Sequence, residues 1–186
     1  MKRPFIRLGG KVFCFDIFTL FDEIYRVLQR AIFRLAPDYK ETWNQRQKAV
    51  SEVLPFRYFE KLLPGARMFR PVYYRWDSGK GSAQWYEADG LSIYEDHLFI
   101  VEVKGGAFTY TSPATDLPAH TSSLKGLLLS PASQGKRFLD YLESASEVAI
   151  ADEAHNEIGR LRRSDFRHVT ICGVTLDPFT ELAARA

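Results

Sequence analysis

The sequence is poor in cysteine, with two in 186 residues, and it has no long apolar run. Two thiols exclude a disulfide-stapled miniprotein. Cys14 and Cys172 lie in the apolar stretches KVFCF and VTICGV, where buried free thiols are expected. No segment approaches the ~18 consecutive apolar residues of a membrane span. Near the N-terminus Arg7, Lys11 and Asp16 interrupt what would have to be a secretory apolar core, so a cytoplasmic protein is expected. A dominant charge sign is also missing, with 25 Lys and Arg against 23 Asp and Glu. Global charge therefore announces no polyanionic partner. Basic clusters at Lys2, Arg3, Arg7 and Lys11, at Arg67, Arg70 and Arg75, and at Arg160, Arg162, Arg163 and Arg167 read first as solvated faces. Neither a CxxC pair, a Ser/His/Asp arrangement nor a phosphate-loop glycine pattern is present. His97 and His120 read as turn and loop residues, and His155 and His168 are too isolated for metal-ligand spacing.

What is present is apolar bulk. Hydrophobic residues make up 46% of the chain and aromatics 14%, enough for one globular domain that buries roughly 70% of its unfolded surface. Gly9-Gly10 between two short apolar runs predicts a small N-terminal hairpin. Leu20, Phe21, Ile24, Val27, Leu28, Ala31, Ile32 and Leu35 recur at helical spacing until Pro37. A second helix is expected from Asp38, with Trp43, Val50, Val53 and Leu54 inward and a kink or interruption at Pro55. It is followed by a helical turn through Phe59, Leu62 and Leu63. Three β-rich stretches come next, Met68 to Trp76, Gln84 to Tyr94 and Leu98 to Lys104. Gly105 to Ser130 reads as a long functional loop, Pro131 as the start of a helix bearing Phe138, Leu139 and Leu142, residues 152–165 as a polar stretch, and His168 to Leu176 as a final strand. The expected architecture is mixed α/β (α+β): a hairpin and helix extension over residues 1–37, packed on a core domain over 38–186.

Chemistry concentrates in two strands. Acidic residues are depleted from strands, yet Glu87, Asp89 and Glu102 interrupt runs that otherwise look buried. Side chains alternate across a strand, so Glu87 and Asp89 share a face, as do Glu102 and Lys104. If the turn at Glu95-Asp96 holds an even number of residues, Asp89 falls opposite Glu102, Glu87 opposite Lys104, Leu91 opposite Ile100 and Ile93 opposite Leu98. Two facing carboxylates repel unless a cation lies between them. Mg²⁺ takes one or two carboxylates and keeps its waters, and a lysine on the same face can orient such a water or stabilise phosphate charge. The alternative is a surface Asp–Lys–Glu ladder on a half-exposed sheet.

Asp89 followed by Glu102-Val103-Lys104 at the end of an apolar strand resembles the PD-(D/E)XK nuclease superfamily. The spelling Glu87-Ala88-Asp89-Gly90 with Ile100-Val101-Glu102-Val103-Lys104-Gly105-Gly106 is most similar to its nuclease-related (NERD-like) and RecB-like branches. The resemblance spans about Trp43 to Leu176. It implies a restriction-endonuclease-like core of helix, three strands, helix and strand, with a central mixed sheet flanked by helices. It also implies a Mg²⁺-dependent nuclease acting on nucleic acid, DNA first, with Mn²⁺ able to substitute. Asp89, Glu102 and Lys104 would be catalytic, and Asp89, Glu102 and Glu52 would hold metal. Glu52 reads equally as an exposed helix carboxylate. Glu87 and Gln134 are accessory candidates, Gln134 also reading as a polar residue at a helix start. Tyr110, Lys125, Lys136 and Arg137 are the expected substrate contacts on the long loop and the helix after it. The alternative function is an inactive nuclease-fold module that binds nucleic acid or protein. Such domains commonly accompany helicase or other effector domains, so this chain is expected to be one domain of a longer polypeptide.

Overall fold

The computed structural model describes residues 5–14, 17–79, 81–106 and 114–176, with the side chains of residues 17–23 outside the description. The described residues divide into two compact units, one within Met1–Lys48 and the other within Ala49–Asp177. Among them, no helix is long and apolar enough to cross a membrane.

The first unit opens with a hairpin, β1 (Phe5–Leu8) against β2 (Lys11–Cys14). Its turn is Gly9-Gly10, both at positive φ, the conformation a two-residue hairpin turn demands and glycine supplies without strain. Every residue of the hairpin is exposed, Cys14 included, which corrects the expected buried thiol there. A two-stranded ribbon has no second layer to cover it. Helix α1 (Ile17–Leu35) ends before a 3-10 turn, Pro37–Tyr39, and α2 (Lys40–Leu62) follows. Trp43 on α2 meets Tyr25 and Phe33 of α1 at centroid separations of 5.7 and 6.1 Å. Its indole N–H donates to Gln47 Oε1, which also accepts from Gln29.

The second unit contains the rest of α2. Pro55 does not interrupt it: the helix runs through to Leu62 with Pro55 and Phe56 buried. Proline removes the amide that would have bonded the Ser51 carbonyl and crowds that carbonyl, a cost confined to one turn. Burying the Phe56 ring contributes on the order of 2 kcal/mol, which supports carrying the helix onward.

Two expected strands are each broken. The first gives β3 (Arg67–Phe69) and β4 (Val72–Trp76), separated at Arg70-Pro71. The second gives β5 (Gln84–Ala88) and β6 (Gly90–Tyr94), separated at Asp89. β3 pairs with β6 and β4 with β5, so the two breaks lie across from one another in one bent ribbon. Pro71 has no amide for the ladder. Gly90 leaves room for the bend: a Cβ there would collide with the Phe56 ring and crowd the Phe69 carbonyl. The bend hands the ribbon from one sheet, ordered β10-β7-β6-β3, to another, ordered β5-β4-β8-β9. In the first sheet β7 (His97–Lys104) is antiparallel to β6 and parallel to β10 (His168–Thr175).

The expected loop from Gly105 to Ser130 is helical from Leu117 onward, a correction with a clear cause. Asp116 caps α3 (Leu117–Leu124) by accepting from the Ala119 amide at 3.0 Å, and Pro118 sits in the first turn, where proline is welcome. A π-helical turn, Lys125–Leu129, links α3 to α4 (Ser130–Glu143). There the Ser130 amide reaches back to the Lys125 carbonyl just before Pro131, which has no amide to offer. The expected polar stretch at 152–165 instead contains β9 (Glu157–Leu161), which pairs with β8 (Val148–Ala151).

Alternation along β7 sets the layers. Leu98 and Ile100 join Leu91, Ile93, Tyr74, Ile150 and α4's Phe138, Tyr141 and Leu142 in the larger core. Val101 and Val103 face Phe56 in the smaller one. Helix α4 can lie close because Gly135 packs on Ile171, where any Cβ would clash. Cys172 is half-buried and unbonded, and burial pushes its thiol pKa up.

Candidate metal and hydrolysis site

The site is built where the bent ribbon meets the end of β7. Glu95-Asp96 is a two-residue turn, so Tyr94 pairs with His97, Ile93 with Leu98, Leu91 with Ile100 and Gly90 with Val101. The ladder ends at Gly90, and Asp89, in the break just before it, lies close enough for its charge to act on Glu102. Glu102 shares its face of β7 with Leu98 and Ile100, so the carboxylate points to the larger core. Asp89 has left the ladder and uses its side chain to replace it: Oδ2 accepts from the Val103 amide at 2.5 Å.

Glu102 is the unusual group. It is 1% exposed, and its Oε1 has no hydrogen-bond partner among the described residues. Burial first, and the Asp89 carboxylate second, raise its pKa from 4.5 to about 8; Lys104 and Arg137 pull it down and Glu87 pushes it up. These causes place four charged groups around one carboxyl. Lys104 comes from the same face of β7 and is half-buried. Arg137 comes from α4, with its Nε donating to the Tyr74 hydroxyl at 3.1 Å and its guanidinium 4.5 Å from the Tyr86 ring centroid. Gln134, one helical turn before Arg137, has a buried Oε1 that also lacks a partner among the described residues.

The remaining expected residues are distributed differently. Glu87 is not opposite Lys104. The break at Asp89 leaves Glu87 on β5, where it pairs with Tyr73 of β4 and, after burial, helps to push the Tyr73 pKa up. Glu52 is half-buried on α2, one turn before Phe56, and its charge is felt at Tyr73. Lys125 is exposed in the π-helical turn rather than in a loop. Lys136 is exposed and ion-paired with Asp140. Tyr110 lies outside the described residues. Arg137, read from sequence as a surface phosphate contact, is a half-buried cation next to Glu102. Its spacing three residues after Gln134 already placed both on one helix face.

The donor set can be tested against a divalent cation. Among the described residues, no three His, Cys, Asp or Glu side chains gather into a metal-binding group. Two carboxylates alone suit Mg²⁺, which holds on to its waters, and an oxygen-only set matches its preference. The unpartnered oxygen of Glu102, whose pKa is raised by burial and then by Asp89, is what a cation between the two would relieve. Comparison of the chain with protein families, with curated proteins and with solved structures returns no match.

Proposed function

We propose that the protein is a Mg²⁺-dependent hydrolase of nucleic-acid phosphodiester bonds, DNA first, built on a restriction-endonuclease-like core. The observation that carries this reading is a buried, partner-poor Glu102 that feels the charge of Asp89, itself bonded to the Val103 amide, with Lys104 on the same face of β7. A strictly structural role would be served better by apolar residues there, since burying a carboxylate without partners costs several kcal/mol. Asp89 and Glu102 would hold the ion, which when bound supplies an activated water and neutralises phosphate charge. Asp89 is kept in place by the Val103 amide. Lys104 orients the attacking water or stabilises the charge that builds on the phosphate oxygens. Arg137 holds the positive end of the field around Glu102, anchored on Tyr74 and Tyr86. Gln134, with its buried and partner-poor Oε1, and Glu52 on α2 are the further candidates for substrate and ion contact.

The experiment is cleavage of labelled single- and double-stranded DNA and RNA in Mn²⁺, with Lys104→Ala as control. Cleavage by the parent protein that disappears in the variant supports the reading. Cleavage that is equal in both, or absent from both, rejects it.

A further inference from the structure

A second surface, on the outer side of the β4–β5 ribbon, has its own chemistry. Tyr73 pairs with Glu87 and Arg75 with Trp85, so these four side chains share one face. The other face carries Val72, Tyr74 and Ala88, all buried. Trp85 is therefore an outward indole, 41% exposed. His155, from the turn between β8 and β9, lies flat against it, with centroids 3.8 Å apart and planes within 2°. Tyr73 meets the same imidazole edge-on at 5.7 Å. His155 reaches this position from a left-handed backbone conformation, φ +64, which residues other than glycine rarely adopt. The turn that holds it is tied by Asp152, whose carbonyl accepts from the His155 amide and whose Oδ1 accepts from the Asn156 amide.

An exposed indole already immobilised by a coplanar ring binds flat aromatic ligands at low entropic cost. Arg75, its cross-strand neighbour, is exposed and makes no ion pair among the described residues, so it is free to meet a phosphate. Trp85 and Glu87 alternate on β5, and Asp89 lies at the bend just beyond it, four residues from Trp85, so the Cα atoms of Trp85 and Asp89 are at most about 14 Å apart. A few nucleotides of single strand span that reach. Duplex bases are already stacked on each other and cannot use the platform.

The geometry points to the Trp85–His155 pair as a stacking platform for an unpaired nucleobase, with Arg75 against the adjoining phosphate, so that the substrate is single-stranded or frayed nucleic acid. This deepens the hydrolase reading and rests on it for the identity of the ligand.

The test is fluorescence anisotropy in EDTA with a short labelled oligothymidylate and a strand of equal length made of abasic deoxyribose phosphates. Trp85→Ala should weaken oligothymidylate binding by about fivefold or more, the lower range for one stacked base, and leave the abasic strand unchanged. Trp85→Phe should restore most of the affinity. Arg75→Gln should weaken both ligands and flatten their salt dependence. His155→Gly suits the turn backbone and removes the ring, so it provides a second variant if Trp85→Ala fails to fold; it too should weaken oligothymidylate alone. Unchanged oligothymidylate affinity in folded Trp85→Ala or His155→Gly overturns the platform, as does failure of the parent protein to bind the strand. The two readings fail separately. Trp85-dependent binding without any metal-dependent cleavage defeats only the hydrolase, and cleavage with Trp85-independent binding defeats only the platform.

Discussion

Two glutamates in the same unit are held in opposite ways. On the β8–β9 hairpin, Glu157 and Arg160 pair at 2.7 Å in full contact with solvent, and Arg162 and Arg160 reach Glu147 at 2.9 and 3.4 Å. The hydrogen bond from Arg160 pulls the Glu157 pKa down. At the end of β7, burial and Asp89 move the Glu102 pKa up to about 8. Partnered charges at the surface are easy to hold and contribute little. A buried carboxylate beside another acid works against folding. The contrast is why the proposed chemistry is assigned to Glu102 and a local structural role to the hairpin arginines.

The largest expected difference between the two regions is in activity. Asp89→Asn, Glu102→Gln and Lys104→Ala should each lower metal-dependent hydrolysis by about 10²-fold or more. Arg162→Ala should leave it unchanged. Steady-state cleavage assays separate the cases, and a loss in Arg162→Ala would erase the contrast.

Next comes stability against pH. The folded state keeps on Glu102 a proton that the unfolded chain releases near its ordinary pKa. Without metal, stability should therefore fall as pH rises from about 4.5 to about 8, and then level off. Glu102→Gln removes this slope. Urea denaturation should find the variant more stable than the parent by a few kcal/mol at pH 9, and little different at pH 4. A parent whose stability rises across that window would contradict the burial of an unrelieved acid.

Arg137→Gln sharpens the comparison further. It leaves the Tyr74 hydroxyl without its charged partner and takes a cation away from Glu102. The expected loss is about 1–3 kcal/mol, larger at pH 9, where Glu102 is charged, than at pH 5. An equal loss at both values would mean that Arg137 acts only through Tyr74. The smallest effect belongs to the hairpin. Arg162→Ala should leave the denaturation midpoint in place, and any shift should vanish at high salt.

The part of the site that could be read from sequence was the part governed by local rules. The two-residue turn at Glu95-Asp96 and the period-two alternation set the β6–β7 register from Tyr94–His97 to Gly90–Val101, which leaves Asp89 and Glu102 just beyond its last pair. Glu87 was misplaced because the ribbon bends at Asp89, and the bend depends on the break at Arg70-Pro71 in the paired strand and on Gly90 fitting against Phe56 of α2. The helix from Leu117 did carry a local signal, Asp116 with Pro118, but two prolines and many small polar residues imitated a loop. β9 was hidden by Glu157 and Arg160, charged residues that suit a sheet's solvent face. Cys14 sits in an apolar run whose hairpin is exposed at every described residue, so hydrophobic pattern alone misjudged its burial. The Trp85–His155 pair joins two hairpins across a tertiary contact that no spacing rule reports.

The central claim, that Asp89 and Glu102 share a divalent cation, is tested most directly by isothermal titration with Mn²⁺ at pH 7 in buffers of different ionisation enthalpy. A single carboxylate-dependent site is expected, lost in Asp89→Asn and in Glu102→Gln. About one proton should be released per ion bound, because Glu102 is mostly protonated at that pH before the metal arrives. No binding by the parent protein, or the same binding in both variants, would contradict it.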